Sequence, residues 1–187
     1  MSNSRLNFKK KYVQLKLPIK KITPEFEQEI KKRVKQNILN ANIRLAKEGD
    51  LPNVMNLYNR SWITSHTPFS RIDLNSLKEI YNYPETEILI AKVYGSDAGF
   101  VILDYEGPNK DIGVIAGLGV IPRFQRKGLG TVLGVAAYNH FKTHNVKELR
   151  CEVYVDNKVS YDFITSLGFK PYDEKTYKAD DFRLLDN

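Results

Sequence analysis

A basic, glycine-bearing turn at residues 122–131 carries the residue types that hold a pyrophosphate. An apolar strand ends near Pro122, and the sequence Arg-Phe-Gln-Arg-Lys-Gly-Leu-Gly-Thr then opens directly into a helix. The first N–H groups of a helix have no intrahelical partner and lie at its positive end. Glycine lets the backbone approach an anion closely, because no Cβ intervenes. We therefore predict that main-chain N–H groups near Gly128, with Arg126 and Lys127 at the rim, bind a diphosphate.

Two other glycine motifs fit this turn less well. A Walker A loop ends in Gly-Lys-Ser/Thr, whereas Lys127-Gly128 has the reverse order. A dinucleotide-binding fingerprint places its first glycine almost directly after the strand, but six residues separate Ile121 from Gly128 here. A helix that merely begins after a glycine turn stays an alternative as long as the turn is taken alone.

A second block of informative residues lies about 25 residues further along the chain. The block consists of Cys151-Glu152-Val153, Asn157, Ser160, Phe163 and Gly168-Phe169. Residues 125–130 resemble the Gln/Arg-x-x-Gly-x-Gly/Ala signature of the GNAT acetyltransferases, and the second block resembles that family's strand, asparagine, helix and closing Gly-Phe. The resemblance extends from about Ile43 to Tyr177 and leaves residues 1–40 outside it.

The resemblance implies acetyl-CoA as cosubstrate and no metal ion. In this family the strand that carries Leu118 splays from the next strand, and the pantetheine arm of the cofactor lies in that opening. The implied cofactor-binding residues are Leu118, Gly119, Val120, Gln125, Arg126, Lys127, Gly128, Leu129, Gly130, Thr131, Asn157 and Ser160. Asn157 contacts the pantetheine on this interpretation, or it caps the following helix, and both alternatives stay open.

The resemblance also implies catalytic roles for Val120 and Glu152. The backbone N–H of Val120 is expected to stabilise the oxyanion that forms when an amine attacks the thioester. Glu152 stands five residues before Asn157, as a glutamate does in the branch that acetylates protein N-termini, so it is the candidate base. The alternative is that Glu152 is an ordinary strand residue paired with Arg150 or Lys170.

The general acid departs from the family pattern. A tyrosine often stands seven residues after the asparagine, but this chain has Ile164 there, which cannot donate a proton. Tyr161, one helical turn earlier, is the candidate substitute. Otherwise water protonates the leaving thiolate, or the protein binds the cofactor without turning it over.

The acceptor is expected to meet the loop from Arg60 to Arg71, which contains Trp62, His66 and Phe69. The leading hypothesis is acetyl transfer from acetyl-CoA to a primary amine of a protein or peptide, by direct attack in a ternary complex. The alternatives are a small-molecule amine acetyltransferase and an acyl-CoA-binding regulatory module with little catalysis. We expect Trp62 to be buried.

The hydrophobic pattern predicts strands and helices that would position these residues. The pattern of alternating strands and helices from residue 41 onward, together with the resemblance to the GNAT family, predicts a mixed α/β (α+β) fold. Its central, mostly antiparallel sheet is splayed between the fourth and fifth strands and flanked by helices. Residues 41–187 form the predicted acetyltransferase domain, and residues 1–40 form a predicted basic extension with a strand and an amphipathic helix. Thr23, Asp50 and Asp73 are the predicted helix caps.

The positive charge of the chain is concentrated in residues 1–40. This segment has eleven Lys and Arg residues and three Glu residues, while the formal net charge of the whole chain is +7. The remainder is therefore nearly neutral, and a nucleic-acid argument from overall charge does not apply to it. The hypothesis for the segment is an RNA or ribosome contact, and the alternative is a solvated helix face.

The composition is that of a globular protein, with 42% hydrophobic and 27% charged residues. The single cysteine, Cys151, excludes an intramolecular disulfide, and no leader sequence is recognised, so we expect a cytoplasmic protein, either monomer or homodimer. The longest apolar run, residues 113–121, is shorter than the ~20 residues of a membrane span.

His140 and His144 are four residues apart and could share one face of a helix, but no HExxH pattern surrounds them. The sequence therefore favours two solvated helix residues over a pair of metal ligands.

Overall fold

The computed structural model describes residues 9–36, 39–64 and 71–177. These residues form seven strands and five helices in a mixed order. The elements are β1 Lys10–Pro18, α1 Pro24–Lys35, β2 Ala41–Leu45, α2 Leu51–Ser61, α3 Leu74–Asn82, β3 Thr86–Val93, β4 Ser96–Glu106, β5 Ile112–Val120, α4 Leu129–Thr143, β6 Glu148–Tyr154, α5 Lys158–Ser166 and β7 Lys170–Tyr177. A short 3₁₀ turn, Pro122–Phe124, connects β5 to the loop before α4.

All seven strands belong to one sheet with the order β2-β3-β4-β5-β6-β1-β7. The pair β5–β6 is parallel, and the other neighbours are antiparallel. Strands β5 and β6 pair only from Ile112 to Ile115 against Glu148 to Cys151, and the remainder of β5 has no partner on that side. The predicted mostly antiparallel sheet and its splay are therefore confirmed, because β5 and β6 are the fourth and fifth strands counted from β2.

Strand β1 is an inner strand of this sheet. It pairs with β6 along one edge and with β7 along the other, and Leu15 at its centre has no exposed surface. Pro18, which donates no backbone hydrogen bond, lies at the end of the strand. The strand and the helix predicted for residues 1–40 are both present, but β1 is an integral part of the sheet built by the rest of the chain. Without it, β6 and β7 would each expose an unpaired edge.

Local sequence explains where the helices begin. The Thr23 hydroxyl accepts a hydrogen bond from the Phe26 N–H (3.2 Å), and the Asp73 carboxylate accepts one from the Ser76 N–H (2.8 Å), so both predicted caps are confirmed. Asp50 occupies the predicted N-cap position of α2, but its side chain makes no capping bond to that helix. Its carboxylate instead accepts hydrogen bonds from the Arg44 guanidinium at 2.6 and 2.8 Å.

Helices cover both faces of the sheet. A Cβ on Gly99 would point at Leu133 of α4, whereas one on Gly119 would point at Ser61 of α2. Gly99 lies opposite Val120, and neighbouring residues of a strand face opposite sides, so α4 and α2 lie on opposite faces. Helix α3 packs beside α2, and α1 packs against α4. Among the described residues, no helix has the length and apolar character that crossing a membrane requires.

Candidate active site

The divergence of β5 from β6 opens a cleft that reaches from α2 to the start of α4. Its cavity volume is about 710 Å³, within the range of small-molecule sites. The lining residues are Ser61, Trp62, Thr64, Leu118, Gly119, Val120, Gln125, Arg126, Gly128, Gly130, Thr131, Asn157, Val159, Ser160 and Phe163. The end of β5, the basic turn and the first turns of α4 and α5 therefore meet at one cavity.

The backbone of Val120 faces the gap between the strands. The Ile121 N–H donates to the Ala98 carbonyl oxygen of the neighbouring chain segment (3.0 Å). Val120 lies opposite Gly99 in the antiparallel ladder, and ladder partners alternate between bonded and non-bonded pairs, so the Val120 pair is a non-bonded one. The Val120 N–H therefore points away from β4, toward the side from which β6 has separated.

The basic turn has the backbone conformation of an anion-binding loop. Arg126 has φ +57° and Gly128 has φ +81°, both in the left-handed region. The first hydrogen bond of α4 joins the Val132 N–H to the Gly128 carbonyl oxygen at 3.1 Å. The N–H groups of the three preceding residues, 129–131, therefore have no intrahelical acceptor, and they lie at the positive end of a fifteen-residue helix. Such an arrangement fits the pyrophosphate of coenzyme A.

The Gln125 side chain connects the two walls of the cleft by hydrogen bonds. Its side-chain amide nitrogen donates to the carbonyl oxygens of Val120 (2.8 Å) and Ser61 (3.3 Å). Its amide oxygen accepts a hydrogen bond from the Thr64 hydroxyl at 2.9 Å. One side chain therefore ties the end of β5 to the C-terminal end of α2, which is a positioning role in addition to its place in the lining.

Glycine at position 119 allows α2 to approach β5. A Cβ there would overlap the Phe100 ring and lie 2.8 Å from the Ser61 side chain. Gly119 is itself buried and lines the cleft. The close contact explains why α2 ends against this strand and delivers Ser61 and Trp62 to the cavity.

The cleft brings together ten of the twelve residues that the sequence assigns to the cofactor. Lys127 and Leu129 are not among the lining residues. Lys127 is exposed, and the Leu129 side chain is 1% exposed because it faces the core. Three further lining residues, Ser61, Thr64 and Val159, were not assigned by the sequence to the cofactor. Ser61 and Thr64 lie in the segment 60–71 that the sequence assigns to the acceptor, whereas Val159 is a 63% exposed apolar residue in the first turn of α5.

Asn157 caps α5. Its side-chain oxygen accepts a hydrogen bond from the Ser160 N–H at 3.0 Å, and the residue is buried at the cleft. Gly130 at the start of α4 leaves room for the Phe163 ring, which a Cβ there would approach to 3.3 Å. The capping role of Asn157 is thus present, and its place in the lining is compatible with a pantetheine contact.

Glu152 lies beside the cleft on the α2 face of the sheet. It follows Cys151, the last residue of β6 that pairs with β5, and it is not among the residues that line the cavity. The Gln14 amide donates to its carboxylate at 2.8 Å, and the Tyr177 hydroxyl lies 2.8 and 2.9 Å from its two oxygens. Its partners are thus Gln14 of β1 and Tyr177 of β7, and neither Arg150 nor Lys170 pairs with it among the described contacts.

An aromatic cluster surrounds Glu152. Tyr12 contacts the rings of Tyr154 and Tyr177 edge-on, with centroids 5.6 and 5.4 Å apart. Burial raises the pKa of Tyr12, and the charge of Glu152 raises it further. The Tyr12 phenol therefore keeps its proton at neutral pH, and the cluster presents one carboxylate among neutral aromatic hydroxyls.

The structure places Tyr161 and Ile164 away from the cleft. Tyr161 lines a second opening on the other side of α5, together with Val13, Val155 and Glu174. Ile164 is 7% exposed and belongs to the core. Among the described residues, no tyrosine lines the cleft. The general-acid role of Tyr161 therefore stays a prediction, and no contact with the cleft supports it.

The acceptor loop is described in part. Trp62 packs against Tyr58 with ring centroids 6.0 Å apart and lines the cleft, and its side chain is only partly buried, which is less than the sequence predicted. The helix ends at Ser61, and Trp62 lies at the wall of the cavity for this reason. The predicted acceptor contacts of His66 and Phe69 lie outside the described residues.

Cys151 is a core residue. The side chain is 5% exposed, and burial raises the pKa of its thiol to about 12, with a further contribution from the charge of Glu152. A thiol of this pKa is not ionised at neutral pH, so the only cysteine of the chain is a poor nucleophile.

Comparison with known proteins gives relatives of two kinds. Two mycothiol acetyltransferases are similar in sequence. The one from Nocardioides sp. is 26% identical over 148 residues, covering 71% of this chain and 50% of the relative. The one from Paenarthrobacter aurescens is 30% identical over 128 residues, covering 61% of this chain and 40% of the relative. This chain therefore spans half or less of these two proteins.

The fold is shared with solved acetyltransferase structures. The PaiA N-acetyltransferase from Thermoplasma acidophilum, solved in complex with coenzyme A, superposes with a TM-score of 0.61 at 20% identity, over 74% of this chain and 99% of that one. A family model described as the acetyltransferase (GNAT) family matches residues 51–169, which contain the cleft, the basic turn and the Asn157 cap. The chain belongs to the GNAT acetyltransferase family.

Proposed function

We propose that this protein transfers an acetyl group from acetyl-CoA to a primary amine. The observation that carries the proposal is the cleft between β5 and β6, in which an unpaired strand edge leads to an anion-binding helix start. The N–H groups of residues 129–131 would hold the diphosphate, and the exposed Arg126 would add charge. The free edge of β5 at Leu118 would pair with the amides of the pantetheine arm.

The Val120 N–H is the proposed oxyanion donor. It points into the gap, and Gln125 holds the carbonyl oxygen of the same residue at 2.8 Å, which fixes the orientation of the strand end. A donor fixed in this way stabilises charge on the thioester oxygen without reorganising during the reaction. Removing one such donor typically costs on the order of 10²–10³ in rate.

Direct attack of the amine in a ternary complex is the proposed order of events. Cys151, the only thiol of the chain, is buried with a pKa raised to about 12, so it is not suited to carry the acetyl group as a covalent intermediate. The amine nitrogen forms the new bond to the acetyl carbon as the carbon–sulfur bond breaks. The amine proton passes to a base, and the thiolate of coenzyme A leaves with a pKa near 8.5, which permits departure without a dedicated acid.

Glu152 is the proposed base, acting directly or through water. A lysine-type amine has a pKa near 10.4, so roughly one molecule in a few thousand is neutral at pH 7. A carboxylate near the attacking nitrogen therefore matters most for such an acceptor. The aromatic rings around Glu152 would also attract the ammonium form of the incoming amine.

The acceptor is proposed to be a small-molecule amine. This proposal is supported by the similarity to two proteins named mycothiol acetyltransferase. A protein or peptide amine is the second candidate. It is favoured by the spacing of Glu152 and Asn157, which resembles that of the acetyltransferases acting on protein N-termini.

The experiment is an assay of coenzyme A thiol release with acetyl-CoA and a panel of amines, beside calorimetric measurement of coenzyme A affinity. The panel contains amino sugars, cysteine-type amines, polyamines and peptides with free N-termini. Turnover of one class over the others identifies the acceptor. Failure of coenzyme A to bind would overturn the proposal, and tight binding without turnover of any amine would favour the acyl-CoA-binding module instead.

A further inference from the structure

A cluster of metal-ligating side chains lies at the far end of α4. Glu87 near the start of β3, and His140 and His144 at the end of α4, each offer one ligand atom, and these atoms lie within 4.8 Å of one another. The two histidines are four residues apart and project from one helix face, with ring centroids separated by 4.6 Å. His140 is ten residues from Gly130, or about 15 Å along the helix, so the cluster is separate from the cleft.

The surrounding hydrogen bonds prepare these side chains as ligands. His144 Nδ1 lies 2.8 Å from the His140 carbonyl oxygen, which can only accept, so Nδ1 carries a proton and the neutral ring keeps its lone pair on Nε2. The Tyr105 hydroxyl donates to the Glu87 carboxylate at 3.1 Å and fixes its orientation. Histidine and carboxylate ligands of metal ions are commonly held by backbone carbonyls and hydroxyls in this manner.

The cluster is accessible to an ion from solvent. The side chains of His140 and Glu87 are 17% and 34% exposed, and His144 is exposed. His140 Nε2 lies 2.5 Å from the Glu87 carboxylate, so a proton bridges them in the metal-free protein. A metal ion that takes the place of this proton would meet two imidazole nitrogens and one carboxylate oxygen.

We infer that Glu87, His140 and His144 bind a divalent transition-metal ion, of which zinc fits best. Two imidazoles and a carboxylate with an open position for water form a common zinc ligand set. Ligand atoms about 2.1 Å from a tetrahedral zinc ion are roughly 3.4 Å apart. Atoms that lie as far as 4.8 Å from each other would therefore approach by roughly 1–1.5 Å, whereas His140 Nε2 and the Glu87 carboxylate, which lie 2.5 Å apart, would separate by roughly 1 Å. Side-chain rotation at an exposed helix end supplies such a movement.

The bound ion would fasten the end of α4 to β3. Glu87 is 53 residues from His140 in sequence, and an ion would join the two elements directly. Because the start of α4 is proposed to hold the diphosphate about 15 Å away, the ion would stabilise the helix and take no part in the acetyl transfer. The inference therefore stands or falls independently of the proposed function.

The test uses the full chain without a histidine tag, stripped of metal by a chelator. Calorimetric titration with zinc chloride is expected to show one ion per chain, and titration with cobalt chloride is expected to produce visible d–d absorption bands. Zinc is also expected to raise the melting temperature. His144→Gln and Glu87→Gln should each weaken zinc binding by at least about tenfold.

The matched control is Lys142→Gln, which lies on the same helical turn but pairs with Glu27 of α1. It is expected to bind zinc as the unaltered chain does. The circular dichroism spectrum and the metal-free melting temperature, measured for each variant, show whether the fold is intact. The absence of saturable zinc binding to the unaltered chain, or equal zinc binding by the His144→Gln and Glu87→Gln variants and the control, would overturn the inference.

Discussion

At the scale of single residues, the site depends on backbone groups more than on side chains. The Val120 N–H and the N–H groups of residues 129–131 are the proposed donors, and their directions follow from strand pairing and from the left-handed conformation of Gly128. Gln125 is the exception, because its side chain bonds to the backbone of both β5 and α2. Side-chain chemistry enters mainly through Glu152.

Glu152→Gln is expected to lower kcat/KM by about 10²-fold or more with an amine of pKa near 10. Glutamine keeps an oxygen for Gln14 and Tyr177 but cannot take a proton from the amine. The loss should be smaller for an amine of pKa near 8, because more of it is already neutral. Steady-state kinetics with two amines of different pKa measure the effect.

The matched control is Glu148→Gln on the same strand and the same face, where the carboxylate pairs with Arg150 at 2.8 Å. It should leave the rate within about twofold of the unaltered protein, because Glu148 lies opposite Ile112 in the paired part of β5 and β6 and does not line the cleft. Equal kinetics of Glu152→Gln and Glu148→Gln would show that Glu152 is an ordinary strand residue.

Gly119→Ala is expected to destabilise the fold by about 1–3 kcal/mol and to weaken coenzyme A binding. The added Cβ would meet Phe100 and Ser61, so α2 would shift from β5 and the wall of the cleft would move with it. Chemical denaturation and calorimetry measure the two effects. Gly117→Ala on the same strand is the control, because its Cβ would come no closer than 3.6 Å to Ile102. Equal stabilities of the two variants would contradict the close approach.

At the scale of elements, β1 decides how the N-terminal segment relates to the rest of the chain. Its residues satisfy the backbone of β6 on one side and of β7 on the other. Burial of Leu15 and Leu17 adds to the core, since both belong to the main hydrophobic cluster. A segment that looks peripheral in sequence is thus needed to complete the sheet beside the cleft.

Leu15→Ala is expected to lower the free energy of unfolding of the whole protein by about 2–5 kcal/mol, because Leu15 has no exposed surface. Denaturation followed by the fluorescence of Trp62, which directly follows α2 at the wall of the cleft, reports on the remainder of the chain. Lys20→Ala, an exposed residue of the same segment, is the control. An unchanged Trp62 transition in Leu15→Ala would mean that residues 1–40 fold as a separate extension.

The RNA or ribosome contact predicted for residues 1–40 needs a test that preserves β1. Two of the basic residues on α1 are paired with acids one turn earlier, Lys31 with Glu27 (2.7 Å) and Arg33 with Glu29 (2.5 Å). Such pairs are typical of a solvated helix face. Replacing Lys32 and Lys35 with Glu, and measuring the salt dependence of RNA retention, tests the contact without removing a strand.

At the scale of the whole molecule, the partly buried ion pair between Arg44 and Asp50 makes the free energy of unfolding depend on pH in the acidic range. The Arg44 guanidinium, and after it the Lys47 N–H, hold the pKa of the Asp50 carboxyl at about 2, below its usual 3.8. A group whose pKa is lowered by folding stabilises the protein above its unfolded-state pKa and loses that contribution as the pH falls through the folded-state pKa. For Asp50 this window is about pH 4 to pH 2.

Asp50→Asn is therefore expected to cost on the order of 1–2 kcal/mol at neutral pH, after allowance for the partial exposure of Arg44. The difference in unfolding free energy between the unaltered protein and Asp50→Asn should shrink as the pH falls from about 4 to about 2. Urea denaturation across this range measures it. A difference that stays constant down to pH 2 would contradict the role of the Arg44–Asp50 pair.

The sequence by itself determined the features that depend on neighbours in the chain. The basic turn and the start of α4, the Thr23 and Asp73 caps and the strand–asparagine–helix block all follow from local backbone chemistry, which a few consecutive residues decide. Ten of the twelve predicted cofactor residues line the cleft for the same reason. The two that do not, Lys127 and Leu129, differ only in which way their side chains point.

Only the tertiary structure decided the features that join distant segments. Nothing near β1 in sequence specifies that it inserts between β6 and β7, since any strand with a suitable apolar face could pair there. Likewise, Glu87 meets His140 and His144, and Ser61 meets Gly119, because the packing of α4 and α2 on opposite faces of the sheet brings them together. Such contacts depend on which surfaces are buried against each other, and that is a property of the whole chain.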